Sequence, residues 1–283
     1  MQKNRELFTF PVSDRTLDWP AIIAEQSCRY SGKPCYKVRK SLPTVAIGTC
    51  TVAGSSPTHP LIVSPHRMLE RMQLFTDCLH LLTWHTPGNE LHVVSEVAMP
   101  GGFVDYFLIS ANEDRRVQDF VALEIQTLDT TGSVWNARAQ LLQELGVENT
   151  GKNYTHSSYG INWKMSAKTI LMQLHHKVSL FESVNRHIVL VLQDELLNYI
   201  KREFTADHLV NPPAIGDPMH FHSYRLEPKS KRLRLVLDSR CSTNSQGITR
   251  LLGMQAVHDV RFQTIADSLA KRISDATVFT PFS

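Results

Sequence analysis

Hydrophobic and polar residues alternate most clearly in the middle of the chain, where turn-forming residues separate three strand-like runs. The runs are ELHVVSEVAM, FVDYFLIS and DFVALEIQ, and all contain many β-branched or aromatic residues. The turn signal PGG separates the first two, and the polar stretch ANEDRR separates the second from the third. Because consecutive strands joined by short turns usually pair, we predict an antiparallel meander of three strands.

Before and after the meander, apolar residues recur at helical spacing. A helix after SPHR is predicted by Met68, Met72, Phe75 and Leu79. Further helices are predicted in VWNARAQLLQELG, which Gly146 is suited to end, in the stripe from Ser166 to Phe181, and in DELLNYIKREF. The short apolar run HIVLVL predicts a buried strand, and RLRLVLDS, which alternates Leu with Arg, predicts an exposed one.

These elements predict an α/β (α+β) fold in which helices flank a mixed β-sheet. The first 80 residues differ, because they hold four of the five cysteines, several prolines and the loop GSSPTHP. We therefore predict an irregular, cysteine-containing region over residues 1–80 and a second region over residues 81–283. The last thirty residues predict a terminal helix.

Composition places the chain among globular proteins: it has 283 residues, of which 42% are hydrophobic and 20% charged. The start, MQKNRELFTF, lacks the apolar core of a signal peptide, and no segment approaches the roughly 20 apolar residues of a membrane span. We therefore expect a cytoplasmic protein with no membrane partner. Five cysteines without a secretory signal favour reduced thiols or a metal site over disulfides.

Acidic residues interrupt the apolar strands of the predicted meander. Glu124 and Gln126 share one face of the third strand, because successive side chains alternate between faces. Asp105 lies in the middle of the second strand, and counting outward from PGG puts Glu96 roughly opposite it on the first. Converging carboxylates repel unless a cation lies among them, and Mg²⁺ suits a site with few carboxylates and open water positions.

A magnesium ion on this face would supply the chemistry of phosphodiester hydrolysis. It polarises the scissile phosphate and lowers the pKa of the attacking water, while Gln126 could orient that water or a phosphate oxygen. The alternative is that Asp105 and Glu124 lie at solvated strand ends without a catalytic role, because D-x(18)-E-x-Q is a loose pattern.

The same residues resemble a known group of enzymes. An Asp inside an apolar strand, followed after 18 residues by ExQ, resembles the core of PD-(D/E)xK nucleases in the variant in which Gln replaces Lys. The segments RELFTFPVSD, CRYSGKPCYKVRKSLPTVAIGTC, LIVSPHR and LEIQTLDTTGSVW resemble, in that order, the NotI restriction endonuclease family over about residues 5 to 145. By this resemblance Asp105 and Glu124 bind the catalytic metal and Gln126 stands in for the lysine. The family also has an upstream acid, for which Glu96 and Glu90 both remain open.

The resemblance implies a function and a partner. The expected protein is a Mg²⁺-dependent type II restriction endonuclease that hydrolyses double-stranded DNA at a specific site, with residues 81–283 as its catalytic domain. Cutting both strands of a palindrome needs two active sites related by a twofold axis, so we expect a homodimer. The alternative function is that of a nuclease-like DNA-binding protein that has lost its catalytic activity.

The resemblance also implies a metal site in the N-terminal region. Three cysteines fit positions of the family's four-cysteine site, whose geometry suits iron or zinc: Cys28, Cys35 and Cys50. The fourth position falls at Ser64, whose hydroxyl is a poor ligand for such a metal. The site is therefore lost, weakened, or completed by His66 or Cys78, and buried structural thiols are the alternative.

The formal net charge of +3 does not by itself indicate a nucleic-acid-binding protein. Basic residues nevertheless cluster twice along the chain: Lys33, Lys37, Arg39 and Lys40, and then Lys229, Lys231, Arg232 and Arg234. If the cysteines hold a metal, the first cluster is expected to bind DNA phosphates. The second overlaps the strand RLRLVLDS, which would then be exposed or DNA-facing. A solvated surface is the alternative for each cluster.

Overall fold

The structure is a computed structural model, and it describes residues 4–39, 42–54, 59–131, 134–147 and 160–254, without the side chains of Arg39 and Leu42. Over these residues the chain is a mixed α and β protein with six α-helices and several β-sheets, as the sequence predicts. The predicted helix over the last thirty residues lies outside the described ranges, apart from its first residue.

Short strands, rather than irregular chain alone, make up the N-terminal region. Its elements are β1 (Asn4–Leu7), β2 (Phe10–Pro11), α1 (Trp19–Glu25), β3 (Ser27–Cys28), β4 (Lys33–Pro34), β5 (Val38–Arg39), β6 (Leu42–Ala46), β7 (Thr49–Val52) and β8 (Leu61–Ile62). Four of the strands form a sheet in the order β2-β1-β7-β8, and β3 pairs with β4 and β5 with β6. The prediction of little regular structure was therefore wrong in part, because strands of two to five residues are too short to show a hydrophobic period.

The single helix predicted after SPHR is also wrong. The segment forms a 3-10 helix (Pro65–Met72), a short α2 (Gln73–Thr76) and a second 3-10 turn (Leu79–Leu81). Arg71 and Met72 break the helix, because both have left-handed backbone angles with φ of 54°. The break accompanies a buried ion pair upstream, in which Arg67 Nη1 lies 2.8 Å from Glu70 Oε2. Side-chain bonding of this kind overrides the helical period of the apolar residues.

The main sheet and its helices follow in chain order. The elements are β9 (Glu90–Met99), β10 (Gly102–Ala111), β11 (Val117–Gln126), α3 (Trp135–Glu144), α4 (Trp163–Ser183), β12 (His187–Gln193), α5 (Asp194–Glu203), β13 (Met219–Lys229), β14 (Arg232–Thr243) and α6 (Ser245–Leu251). The six strands lie in the order β14-β13-β12-β11-β10-β9. Strands β9, β10 and β11 pair antiparallel, so the predicted meander is confirmed, whereas β12 is parallel to both β11 and β13.

Each face of this sheet has its own core. On one face α4 and α5 pack against the strands, and Leu174 of α4 is buried with Leu190 and Phe221. On the other face, the segment from residue 61 to 82 packs against Leu123 and Val191. All seven residues of β12 are buried, as expected of a central parallel strand covered on both faces. The division of the chain near residue 80 stays a prediction.

Membrane-spanning structure was not expected from the sequence. None of the helices within the described residues combines the length and the apolar character needed to cross a bilayer.

Two buried histidines on β13 were not anticipated. His220 and His222 are 1% and 0% exposed, and no described residue bonds His220 Nδ1 or His222 Nε2. The other ring nitrogens lie 2.8 Å from the Asp217 carbonyl oxygen and 3.6 Å from Cys78 Sγ, respectively. Burial lowers the pKa of His220 to about 4 and of His222 to about 2, and neighbouring positive groups add to the shift.

Because these two histidines are buried and neutral, we expect the protein to lose stability in mild acid. Below pH 6.5 the unfolded chain binds protons on both rings, while in the folded protein they stay neutral down to about pH 4 and about pH 2. Each ring should therefore lower the free energy of unfolding by up to about 1.4 kcal/mol per pH unit between pH 6 and pH 4. Urea unfolding across this range should show a shallower pH slope for His222→Gln than for wild type, with exposed His176→Gln as the control. An unchanged slope in His222→Gln would contradict this account.

Candidate active site on the main sheet

Three acidic residues occupy neighbouring positions on the three strands of the meander. On β9 and β10, Val97 pairs with Val104 and Ser95 with Tyr106, so Glu96 and Asp105 are the opposed residues between these pairs. Neighbouring strands at such positions bring side chains to the same face of a sheet. The other candidate, Glu90, pairs with Ala111 at the far end of the hairpin and lies 3.1 Å from His92. Of the two open alternatives, the structure therefore places Glu96 beside Asp105.

The strands β10 and β11 separate at this point. Their pairing ends at Tyr106 and Leu123, so Asp105 and Glu124 are the first residues beyond the ladder. Asp105 Oδ2 instead accepts a hydrogen bond of 2.8 Å from the backbone N–H of Ile125. This bond fixes the carboxylate of one strand on the backbone of the other. The carboxylates of Asp105 and Glu124 are therefore neighbours at the point where the two strands part, and we call this place the notch.

A lysine that the sequence analysis missed fills part of this notch. Lys177 of α4 is buried, and its Nζ donates a hydrogen bond of 2.6 Å to Glu124 Oε1. The same ammonium donates to the carbonyl oxygen of Phe103 at 2.5 Å, so it bridges β10 and β11 where they part. The signal for it was available, because Lys177 interrupts the apolar face of α4 between Leu174 and Val178.

Burial and mutual repulsion shape the electrostatics of the two carboxylates. Burial raises the pKa of Glu124 to about 7, although the hydrogen bond from Lys177 opposes the shift, and the charge of Asp105 raises it further. Burial also raises the pKa of Asp105, with a further upward contribution from Glu96, against the bond from the Ile125 N–H. Acids that repel one another are stabilised by a nearby cation, and in this structure the ammonium of Lys177 is the cation beside Glu124.

The remaining predicted residues of this site lie at its rim. Gln126 is half-buried on the same face as Glu124, and its Nε2 donates to the Thr127 carbonyl oxygen at 2.6 Å. Glu96 is exposed and has a left-handed backbone with φ of 56°, a costly conformation for a residue other than glycine. Such strain concentrates at functional sites, so it favours a functional role for Glu96.

The three cysteines of the predicted metal site, Cys28, Cys35 and Cys50, lie close enough for their charges to interact. Burial would raise the pKa of Cys28, but hydrogen bonds from His66 and Ser31 outweigh it and lower that pKa to about 7. Burial raises the pKa of Cys50, and the charges of Cys28 and Cys35 raise it further. Of the two alternatives for a fourth ligand, His66 is therefore beside Cys28. Cys78 lies in the core on the face of the main sheet opposite α4, and its Sγ is 3.6 Å from His222 Nδ1.

Across the described ranges, no three His, Cys, Asp or Glu side chains converge closely enough to hold a metal ion as they stand. The iron or zinc site therefore stays a prediction. Magnesium makes a smaller demand, since it is often bound through one or two carboxylates and keeps several waters. Asp105 and Glu124, opposed across the notch, fit that requirement.

The first basic cluster is only partly available to a ligand. Lys33 is exposed on β4, but Lys37 is half-buried and its Nζ donates to the Val63 carbonyl oxygen at 2.7 Å. The side chain of Arg39 and the whole of Lys40 lie outside the described residues.

A scan against models of protein families finds no match for this chain, and a search of curated proteins finds none either. The function is therefore inferred from the geometry of the notch.

Proposed function

We propose that this protein is a Mg²⁺-dependent DNA endonuclease with a PD-(D/E)xK type of active site, in which Asp105 and Glu124 bind the metal. The observation that carries the proposal is the notch between β10 and β11, where the half-buried carboxylate of Asp105 neighbours the buried carboxylate of Glu124, which bonds the ammonium of Lys177. An Asp on the second strand of a meander and ExQ on the third is also what the sequence resemblance implies. The lysine of that motif is absent from β11, and Lys177 brings an ammonium to the same carboxylate from α4.

The residues of the notch can be assigned roles from their contacts. A bound Mg²⁺ would polarise the scissile phosphate and lower the pKa of the attacking water. Asp105 is held in place for metal binding by the N–H of Ile125. Lys177, which bonds Glu124, would bind a phosphate oxygen and so offset the charge that develops during cleavage. The amide of Gln126 is exposed enough to orient water or phosphate at the rim.

Glu96 is proposed as an additional acid of the site. Glu96 lies opposite Asp105 and has a left-handed backbone, and both features support a role in which its carboxylate would bind a metal-coordinated water. Because its side chain is exposed, it is not needed for the stability of the sheet. The proposed role of Glu96 is therefore an addition, and the proposal does not depend on it.

The expectation of a restriction endonuclease acting as a homodimer belongs to the same proposal. Support for a second copy comes from β9, an edge strand of the main sheet on which Leu91, Val93 and Val94 are exposed. Exposed edge strands with apolar side chains are templates for pairing with another chain. Site-specific cutting of double-stranded DNA would then use one notch from each subunit.

A cleavage assay tests the proposed function. Plasmid or phage DNA incubated with the protein and Mg²⁺ should yield discrete fragments, and the same reaction with EDTA should yield none. Salt-sensitive DNA binding without cleavage would support the alternative, a nuclease-like protein that has lost its chemistry. If the protein neither binds nor cleaves DNA, the proposal is wrong.

A further inference from the structure

A basic groove lies between the β13–β14 hairpin and the 3-10 helix Pro65–Met72. It has a volume of about 810 Å³ and is lined by six cationic residues: Arg29, Arg71, Lys229, Lys231, Arg232 and Arg234. Its one acidic lining residue is Glu70, so the lining has a formal charge of +5, which exceeds the +3 of the whole chain. Positive charge is thus concentrated here and not spread evenly over the surface.

The two walls of the groove are held together by a buried network. Arg67 Nε lies 2.7 Å from Glu6 Oε2 on β1, and its Nη1 lies 2.8 Å from Glu70 Oε2. The same Glu70 oxygen accepts the backbone N–H of Leu235 at 2.7 Å, and Arg67 Nη2 donates to the Leu233 carbonyl oxygen at 2.9 Å. Glu70 is therefore neutralised inside the protein. The network also fixes a hairpin that would otherwise project as a two-stranded ribbon, which preorganises its charges.

The cations themselves are free to meet a ligand. Lys229, Lys231 and Arg232 are exposed at the tip of the hairpin, and alternate residues of β14 place Leu233 and Leu235 toward the core. In the part of the chain that the structure describes, none of the six cations of the groove forms an ion pair. Arg29 packs over the Phe10 ring, and the pKa of Asp14 is lowered mainly by hydrogen bonds from Thr16 and also by the charges of Lys231 and Arg232. None of these contacts is an ion pair, so the six cations can still pair with an outside anion.

The groove and the notch lie toward the same end of the main sheet, and one loop has residues near both. Tyr30 lines the groove, and Tyr36 follows it six residues later on the same loop. Burial is the main cause of the raised pKa of Tyr36, and the charge of Asp105 raises it further, so the phenol of Tyr36 lies close to Asp105. Strands β11 and β13 are both parallel to β12, so Gln126 and the hairpin tip lie toward the same end of the sheet.

We propose that this groove binds the phosphate backbone of duplex DNA and so holds the substrate beside the notch. The inference rests on the proposed function, which makes duplex DNA the substrate. An extended row of lysines and arginines on a rigid ribbon suits a regular polyanion, whose phosphates are contacted without regard to base sequence. An anionic membrane is the weaker fit, because the tip Lys229-Ser230-Lys231 carries no apolar residue to insert into lipid.

The test is a salt titration of DNA binding by the full chain, measured by fluorescence anisotropy with a labelled mixed-sequence duplex in EDTA. The triple variant Lys229→Gln, Lys231→Gln, Arg232→Gln should bind at least tenfold more weakly at low salt. Each lost phosphate contact lowers the slope of log K against log salt by about 0.9, so three should lower it by about 3. The matched control removes three exposed lysines outside the groove: Lys164→Gln, Lys168→Gln and Lys201→Gln.

The outcomes separate this inference from the proposed function. An equal loss of affinity in the groove variant and the control would overturn the groove, even if wild type cleaves DNA. A loss confined to the groove variant would support it, even if no form of the protein cleaves. A groove variant that loses binding to phosphatidylserine vesicles but keeps its affinity for the duplex would assign the groove to membranes and overturn the proposal.

Discussion

Replacing Glu124 by glutamine is expected to lower the rate of Mg²⁺-dependent DNA cleavage by about 10³-fold or more. A carboxylate that binds the metal contributes several kcal/mol of transition-state stabilisation, and each 1.36 kcal/mol changes the rate tenfold. Glutamine keeps the shape of the side chain and an oxygen that accepts the hydrogen bond from Lys177. The variant should therefore fold and bind duplex DNA much as wild type does. Single-turnover cleavage and anisotropy measured on the same preparation separate the two properties.

Asp105→Asn should give a similar loss, because the asparagine oxygen can still accept the N–H of Ile125 while the charge is removed. The matched control is Glu203→Gln, which removes an exposed carboxylate at the end of α5 and should leave cleavage within about twofold of wild type. Full activity of Glu124→Gln would overturn the assignment of the notch as the active site.

The opposition of Glu96 and Asp105 could be predicted from sequence because a short turn sets the register of its hairpin. With Met99 paired to Gly102 across PGG, each position on β9 has a defined partner on β10. The placement of Glu124 and Gln126 on one face followed from the strand period alone. What could not be read locally is that β10 and β11 separate beyond Leu123, because that depends on a side-chain bond from Asp105 to another strand.

Long-range contacts account for the elements that were missed. Strand β13 was not predicted because His220, His222 and Ser223 interrupt its apolar residues, yet it is buried between β12 and β14. The broken helix after SPHR follows from Arg67, whose partners Glu6 and Leu233 are 61 and 166 residues away in sequence. Periodicity reports which face of an element is apolar, but it carries no information about distant partners of a buried charge.

Lys177 illustrates the same limit at the centre of the proposed active site. Its partner Glu124 is 53 residues earlier in the chain, and only the packing of α4 on the sheet brings them together. A buried lysine needs a partner, so its place on the apolar face of α4 did imply an acid on the opposing sheet. The sequence could not identify which acid, since Glu96, Asp105 and Glu124 all belong to the meander.

Lys177→Met is expected to lower cleavage by about 10²- to 10³-fold, the usual cost of removing one preorganised group that stabilises charge in the transition state. The pH dependence should change as well. Burial already raises the pKa of Glu124 to about 7, and the hydrogen bond from Lys177 holds it down. Without the ammonium this pKa rises further, so Glu124 remains protonated to higher pH. The rise of the cleavage rate with pH should therefore move to higher pH in the variant.

Rate measurements from pH 6 to pH 9 check both parts of this prediction. Lys177→Arg keeps the positive charge and should recover part of the rate and most of the pH profile. Lys168→Met, which changes an exposed lysine on the same helix, controls for the loss of a surface charge. A lower rate with an unshifted pH profile would assign Lys177 to the stability of the α4 contact alone. A shifted profile that arginine restores would instead show that the positive charge of Lys177 sets the pKa of the Glu124 carboxylate.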